Sequence, residues 1–139
     1  MNVEVNYLAV FLAGVSSMVV GSIWYAKGVM GKTWQKLVKL DDDKMKNGAA
    51  KALIITFVLS LVTAYVLAHV AFLSNKFFGH SFMQDAVMTA FWLWLGLTAA
   101  RMVTHDLFEQ RPTKLTVMNV AHELVTLLVM GVVIGLFQP

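Results

Sequence analysis

Cysteine is absent from the sequence, and proline and charged residues are scarce. The lack of cysteine excludes disulfides, thiolate metal ligands and cysteine redox chemistry. Charged residues make up 14% of the 139 residues, whereas hydrophobic residues make up 58%, and the mean hydropathy is +0.69. Such a balance is typical of an integral membrane protein. A nucleophile elbow, a phosphate loop and a zinc hydrolase signature are also missing, so we expect neither enzyme activity nor a cofactor.

Four apolar segments are long enough to cross a bilayer. A helix needs about 20 mostly apolar residues to span about 30 Å of hydrocarbon. The segments that meet this requirement cover residues 5–26, 50–73, 82–103 and 115–137. We therefore predict an all-α fold, a single transmembrane domain over residues 1–139 built as a bundle of four transmembrane helices.

Positive charge is distributed unevenly between the loops. Ten of the eleven Lys and Arg residues flank the first-to-second and third-to-fourth connections, and only Lys76 lies beyond the other ends of the helices. The positive-inside rule then predicts that both of these connections are cytoplasmic and that the N-terminus and C-terminus are outside. The net charge of +3 is explained by this topology, so we do not expect nucleic acid as a partner.

Small residues form rows on the first and last helices. The rows consist of Ala9, Ala13, Ser17 and Gly21 at a spacing of four, and of the GxxxG pair Gly131 and Gly135. Small residues allow the close helix packing that drives association in lipid. Because the first and last helices run antiparallel in this topology, we expect the two rows to meet, either within a protomer or between protomers.

Aromatic residues mark the cytoplasmic end of the first helix. Trp24 and Tyr25 end that helix, and Trp34 lies on the apolar side of a basic amphipathic segment at 32–40. Amphipathic rings are favoured where membrane lipids meet water, so we interpret these three residues as interface anchors.

Three further patterns surround the second and third helices. The clustered carboxylates Asp41, Asp42 and Asp43 are interpreted as the capping turn of a helix rather than as a metal site. A stripe of hydroxyls either lines a hydrated path or, as we favour, bonds its own backbone and a neighbouring helix; it consists of Thr56, Ser60 and Thr63. Near mid-membrane, Trp92 and Trp94 are expected to fill space between helices.

Ionisable groups that could act inside the membrane are concentrated between residues 101 and 123. If the last two helices form a hairpin that turns near Gln110, Arg101 lies opposite Asn119 and within one turn of Glu123. The candidate polar site comprises Arg101, His105, Glu109, Asn119, His122 and Glu123.

This cluster has two interpretations. In the first, which we favour, Arg101 and Glu123 form an ion pair that locks the hairpin, because a lone carboxylate in hydrocarbon is costly. In the second, His105, Glu109, His122 and Glu123 converge as a cation or proton site, with His105, His122 and Glu123 as the metal ligands. The sequence has no HExxH signature, so a bound metal is not expected.

Five motifs follow one another along nearly the whole chain. They are GSIWYAKGVMGKTW (21–34), LDDDK (40–44), AYVLA (64–68), LFEQRPTKL (107–115) and LVMGVVIGLF (128–137). In this order they resemble the small bacterial membrane proteins grouped as the domain of unknown function 1761 family. The resemblance implies a multi-pass protein of four helices in the bacterial inner (plasma) membrane, with no established activity. The resemblance also marks five residues as candidate functional positions: Trp24, Tyr25, Phe108, Glu109 and Arg111.

Two functions fit such a protein. The first is a homo-oligomeric channel or transporter for an ion or small solute, with a path between protomers because four helices enclose little interior. The alternative is a structural or regulatory subunit of a larger membrane complex, with the small-residue rows as docking faces. Small multidrug transporters share the size and helix number, but they carry their intramembrane glutamate on the first helix, where this chain has none.

Overall fold

A computed structural model describes residues 3–139, apart from the side chain of Asp42, and all of the regular structure in this part is helical. The helices are α1 (Tyr7–Trp24), α2 (Gly31–Val38), α3 (Asp42–Phe78), α4 (Phe82–Leu93), α5 (Ala100–Phe108) and α6 (Thr113–Leu136). A π-helical turn, Trp94–Ala99, joins α4 to α5, so that these elements form one continuous helix. The stretches long and apolar enough to cross a membrane are Tyr7–Trp24, Asp43–Phe78, Phe82–Phe108 and Thr113–Leu136. The predicted all-α fold with four spans is confirmed.

The second span is longer than predicted because α3 begins before its apolar part. The Asp41 carboxylate accepts the backbone N–H of Lys44 at 2.8 Å, which satisfies a donor that the first helical turn leaves free. This confirms the predicted capping role of Asp41, whereas the side chain of Asp42 lies outside the described residues. With 37 residues, α3 is about 55 Å long, longer than a bilayer's hydrocarbon core of about 30 Å.

The four spans form a bundle with a square arrangement. α1 packs against α3 and α6, and α4 packs against the same two helices, which leaves α3 and α6 facing each other across a diagonal. We call the end that carries α2 and the α5–α6 turn the basic end, and the end that carries the α3–α4 turn the opposite end. Leu67, Met130 and Ile134 are the largest fully buried side chains and lie in the hydrophobic core.

The small residues of α1 are used inside the bundle. Ala9, Ala13 and Ser17 are buried, and a Cβ added to the neighbouring Gly14 would lie 2.6 Å from the Cδ2 of Leu61 on α3. The row predicted on α1 is therefore a packing face, and the helices that it meets belong to the same chain.

The GxxxG pair of α6 faces a different neighbour from the one expected. A Cβ added at Gly135 would lie 2.8 Å from the Cα of Met83, and one added at Gly131 would lie 3.0 Å from the Cβ of Ala90. Both neighbours are on α4, so the predicted meeting of this pair with the Ala9 row is wrong. The spacing identifies a face that permits close approach, but in a square bundle α6 has two neighbours, and the glycines lie against α4.

Candidate functional site

A cavity of about 670 Å³ lies between α1, α3 and α6, and α2 contributes Trp34 to its wall. This volume falls in the range of about 300–1,000 Å³ that is usual for sites of small molecules. The α3 residues Leu53 and Thr56 line the cavity and are nevertheless exposed. The cavity therefore opens to the surroundings of the bundle along α3.

Two adjacent residues of α6 supply the ionisable groups of the wall. His122 Nδ1 lies 3.4 Å from the Glu123 Oε1, and the side chains are 13% and 37% exposed. His122 Nε2 lies 3.4 Å from the Thr126 hydroxyl. Gly21 of α1 lies beside this imidazole, since a Cβ there would be in van der Waals contact with Nε2 at 3.7 Å. The carboxylate thus reaches the cavity while the imidazole is held between α1 and α6.

Aromatic rings surround the imidazole at the basic end. The Tyr25 ring centroid lies 4.9 Å from that of His122 and 5.4 Å from that of Trp34, while Trp24 lies 5.8 Å from His122. The indole N–H of Trp24 is buried without a hydrogen-bond partner in the described chain. The three rings predicted as interface anchors are partly buried, and Tyr25 and Trp34 line the cavity. Their contact with lipid stays a prediction.

The Tyr25 hydroxyl links α1 to α6. It donates to the Asn119 Oδ1 at 3.3 Å. Burial, reinforced by the negative charge of Glu123, raises the pKa of Tyr25 to about 12. The phenol therefore stays protonated near neutral pH and remains a hydrogen-bond donor. Asn119, a predicted site residue, thus belongs to the same wall as His122.

Hydroxyl groups follow the cavity toward the centre of the bundle. They belong to α1, α3 and α6, and they are those of Ser17, Ser22, Thr56, Ser60, Thr63 and Thr126. Ser17 and Ser22 donate to carbonyls of their own helix, both at 2.7 Å, and Thr63 does the same at 3.1 Å. The predicted bond to the helix's own backbone is confirmed for Thr63, whereas a hydrated path along the stripe stays a prediction.

The predicted ion pair between Arg101 and Glu123 is not formed, although the structure describes both residues. Arg101 is exposed on α5. Among the described residues, no carboxylate lies within 4 Å of its guanidinium group. The π-helical turn Trp94–Ala99 precedes α5. Such a turn holds more residues than an α-helical one, so the side chains after it face another direction than an unbroken α-helix predicts.

A different pair locks the hairpin between α5 and α6. The buried Asp106 accepts the Thr116 hydroxyl at 2.6 Å, and its other oxygen lies 3.7 Å from Arg111 Nε. Arg111 also donates to Glu109 at 2.6 Å. Sequence reasoning missed Asp106 and Thr116, although their numbers fit the predicted hairpin that turns near Gln110.

The second interpretation of the cluster, a shared cation site, is not supported by the geometry. His105 is exposed on α5, and Glu109 is exposed at the turn in contact with Arg111. Among the described side chains of residues 3–139, which do not include that of Asp42, no group of three His, Asp or Glu side chains is placed to hold a metal ion. His105, His122 and Glu123 are therefore not a metal set, and only His122 and Glu123 remain together.

The π-helical turn brings the third span into contact with α6 near this site. Trp94, its first residue, donates its indole N–H to the Val120 carbonyl at 3.0 Å. The expectation that Trp94 fills space between helices is confirmed. Trp92 is 60% exposed, so the same expectation is wrong for it, because the two indoles point to different sides of the helix.

Comparisons with known proteins give one family. The family described as "Protein of unknown function (DUF1761)" matches residues 8–135. No curated protein and no solved structure matches the chain.

Proposed function

This chain belongs to the DUF1761 family, and we propose that it is a membrane protein of the channel or transporter class that binds a small solute in the cavity between α1, α3 and α6. The observation that carries the proposal is the cavity itself, about 670 Å³ with one carboxylate in its wall. A ligand site is expected to be mostly apolar with a few convergent polar groups.

The lining suits a solute with one polar end and an apolar body. Tyr25, His122 and Glu123 lie in the wall together with the apolar side chains of Leu127 and Met130. The side that opens along α3 provides an entrance for such a solute from the bilayer or its interface. A molecule that is polar all round would leave the apolar part of the wall unfilled.

Passage across the membrane requires more than this cavity. The positive-inside rule orients the basic end, and hence the polar end of the cavity, toward the cytoplasm of a bacterial inner membrane. We propose that a homo-oligomer completes the path: the exposed part of α3 at the basic end lies beside a second copy, and the solute enters between the two copies. Since the chain has no cysteine, a single Thr56→Cys variant tests this directly: disulfide-linked dimers are expected in membranes under mild oxidation.

The test of solute binding uses two substitutions on neighbouring positions of α3. Thr56 lines the cavity, whereas Val58 is 54% exposed and faces away from it. We expect Thr56→Trp to fill the cavity and Val58→Trp to leave it unchanged. Three probes of similar shape are used with the purified chain: tetraphenylphosphonium, tetraphenylborate and neutral triphenylphosphine oxide. At least one should bind the wild type and Val58→Trp but not Thr56→Trp.

Flux is then measured with whichever probe binds. Proteoliposomes should take it up faster than vesicles of the same lipid without protein, and Thr56→Trp should remove the difference. If no probe distinguishes Thr56→Trp from Val58→Trp, the cavity is not a solute site. The alternative function, a structural or regulatory subunit of a larger membrane complex, would then be favoured.

A further inference from the structure

The carboxylate of Glu123 has little to neutralise it. Among the described residues, the ionisable side chain within 4 Å of it is the His122 imidazole, at 3.4 Å. Four helices contribute to the lining of the cavity. The ionisable residues among those that the structure describes in this lining are Tyr25, His122 and Glu123. A carboxylate on a membrane-spanning helix is costly unless it is paired, protonated or hydrated. The wall therefore offers a negative charge that the folded chain itself leaves largely uncompensated.

The rings beside this carboxylate favour the same kind of ligand. Tyr25 and Trp34 line the cavity, and their ring planes meet at 64° with centroids 5.4 Å apart. The face of an aromatic ring attracts a cation, and rings arranged around one point recognise quaternary ammonium groups. An anion would meet repulsion from Glu123.

We propose that the solute is an organic cation with an apolar body, whose positive group lies between Glu123 and the rings of Tyr25 and Trp34. The inference rests on the proposed solute cavity and names the class of its ligand. The apolar body would lie against the Leu127 and Met130 side chains, which line the same cavity. The hydroxyls farther along would contact it without requiring a fixed hydrogen-bonding pattern.

The experiment compares tetraphenylphosphonium with tetraphenylborate, which have nearly the same shape and opposite charge. Binding to the purified full-length chain in neutral detergent is measured by equilibrium dialysis. We expect the cation to bind at least about tenfold more tightly than the anion, the difference that about 1.4 kcal/mol produces.

Three variants locate the charge that is responsible. Glu123→Gln should weaken cation binding about tenfold or more, whereas Glu123→Asp, which keeps the charge, should retain most of it. Trp34→Leu should weaken it by about 2- to 30-fold, the range that a cation–π contact covers. Glu109→Gln is the matched control, because Glu109 is exposed, is paired with Arg111 and is not among the residues that line the cavity, and it should bind as the wild type does.

The outcomes separate the two proposals. If the borate or the neutral oxide binds as tightly as the phosphonium, and Thr56→Trp abolishes that binding, the cavity is a solute site but the cation inference is wrong. If phosphonium binding is unaffected by Thr56→Trp, the cation binds elsewhere and the cation inference fails; if none of the three probes is affected by Thr56→Trp, the solute cavity fails as well. If Glu123→Gln does not fold, the wild-type preference between the two ions still decides the inference.

Discussion

Two carboxylates on membrane-spanning helices have very different surroundings. Asp85 is 3% exposed and accepts the Asn75 amide at 2.8 Å, while His80 Nδ1 lies 3.0 Å from its other oxygen. Asn75 also donates to the His80 carbonyl at 2.9 Å. The Glu123 side chain is 37% exposed, and its Oε1 lies 3.4 Å from His122 Nδ1. A carboxylate with every oxygen occupied joins helices, whereas one left open to a cavity is available to a ligand.

The packing around the two carboxylates differs in the same way. At the opposite end, the backbone of Gly135 lies so close to Met83 that a Cβ would collide with it, and Phe82 and Ile134 are buried nearby. At the basic end, α3 stands away from α1 and α6, and the cavity lies between them. A tightly packed end holds four helices together, so the other end can remain open.

The largest expected effect comes from removing the closed carboxylate. Asp85→Ala would remove the buried carboxylate that accepts the Asn75 amide and contacts the His80 ring at the α3–α4 turn, and we expect a loss of about 3 kcal/mol of unfolding free energy. Glu123→Ala should change it by less than about 1 kcal/mol, because its group is partly exposed and weakly paired. SDS-induced unfolding in mixed micelles measures both. Equal losses would remove the distinction between the two carboxylates.

A smaller effect is expected from the same substitution at two glycines. Gly135→Ala must push α6 away from Met83 and should cost about 1–3 kcal/mol. Gly48 of α3 has open space around it, so Gly48→Ala should instead stabilise the helix by up to about 1 kcal/mol. The same unfolding assay provides the comparison. A neutral Gly135→Ala would show that the opposite end is not tightly packed.

The π-helical turn connects the two ends, and its tryptophans provide a matched pair. Trp94→Phe removes the hydrogen bond to the Val120 carbonyl and should cost about 1 kcal/mol. Trp92→Phe should have almost no effect because Trp92 is 60% exposed. Unfolding midpoints of the two variants, measured side by side, give the answer. A larger effect at Trp92 would indicate that this indole packs against another protein surface.

The smallest expected effect is a change in the pKa of Tyr25, which lines the cavity. The unfolded chain should ionise Tyr25 near the ordinary pKa of 10.0, whereas the folded chain does so at about 12. The protonated phenol therefore contributes stability that is fully present below pH 10.0 and is lost as pH rises toward about 12. Because burial is the larger cause and the Glu123 charge the smaller one, Glu123→Gln should lower the pKa only part of the way.

Ultraviolet absorbance of the phenolate follows this titration, and Tyr25→Phe identifies the step. An unchanged step in Glu123→Gln would place the carboxylate too far from Tyr25 to share a site with it.

Much of the fold could be predicted because its signals are local. The length of each apolar run is a property of that run alone, and it predicted the four spans. Asp41 caps α3 through a backbone group three residues away, which is also a local interaction. The start of α3 differed from the predicted start of the span because hydropathy indicates only the part of a helix that lipid surrounds. A well-capped helix can continue beyond that part.

The candidate site could be predicted only in part. Glu123, His122 and Asn119 were identified by their ionisable or polar character within an apolar helix, and they do lie together with Tyr25 in one wall. Arg101 was assigned to them by counting along an uninterrupted helix. The π-helical turn changes that count, and its presence depends on packing that residue spacing does not encode.

By itself, the sequence determined that the chain forms apolar helices. It also determined which stretches are long and apolar enough to cross a membrane and which helix faces carry small or polar residues. Only the tertiary structure decided that Gly131 and Gly135 face α4 and that the hairpin is locked by Asp106 and Thr116 rather than by Arg101 and Glu123. It also decided that the hydroxyls of α3 and the Glu123 carboxylate line one cavity. The physical reason is that periodicity defines a face on one helix. The neighbour of that face, and any gap between them, depends on the side-chain volumes of several helices packed at once.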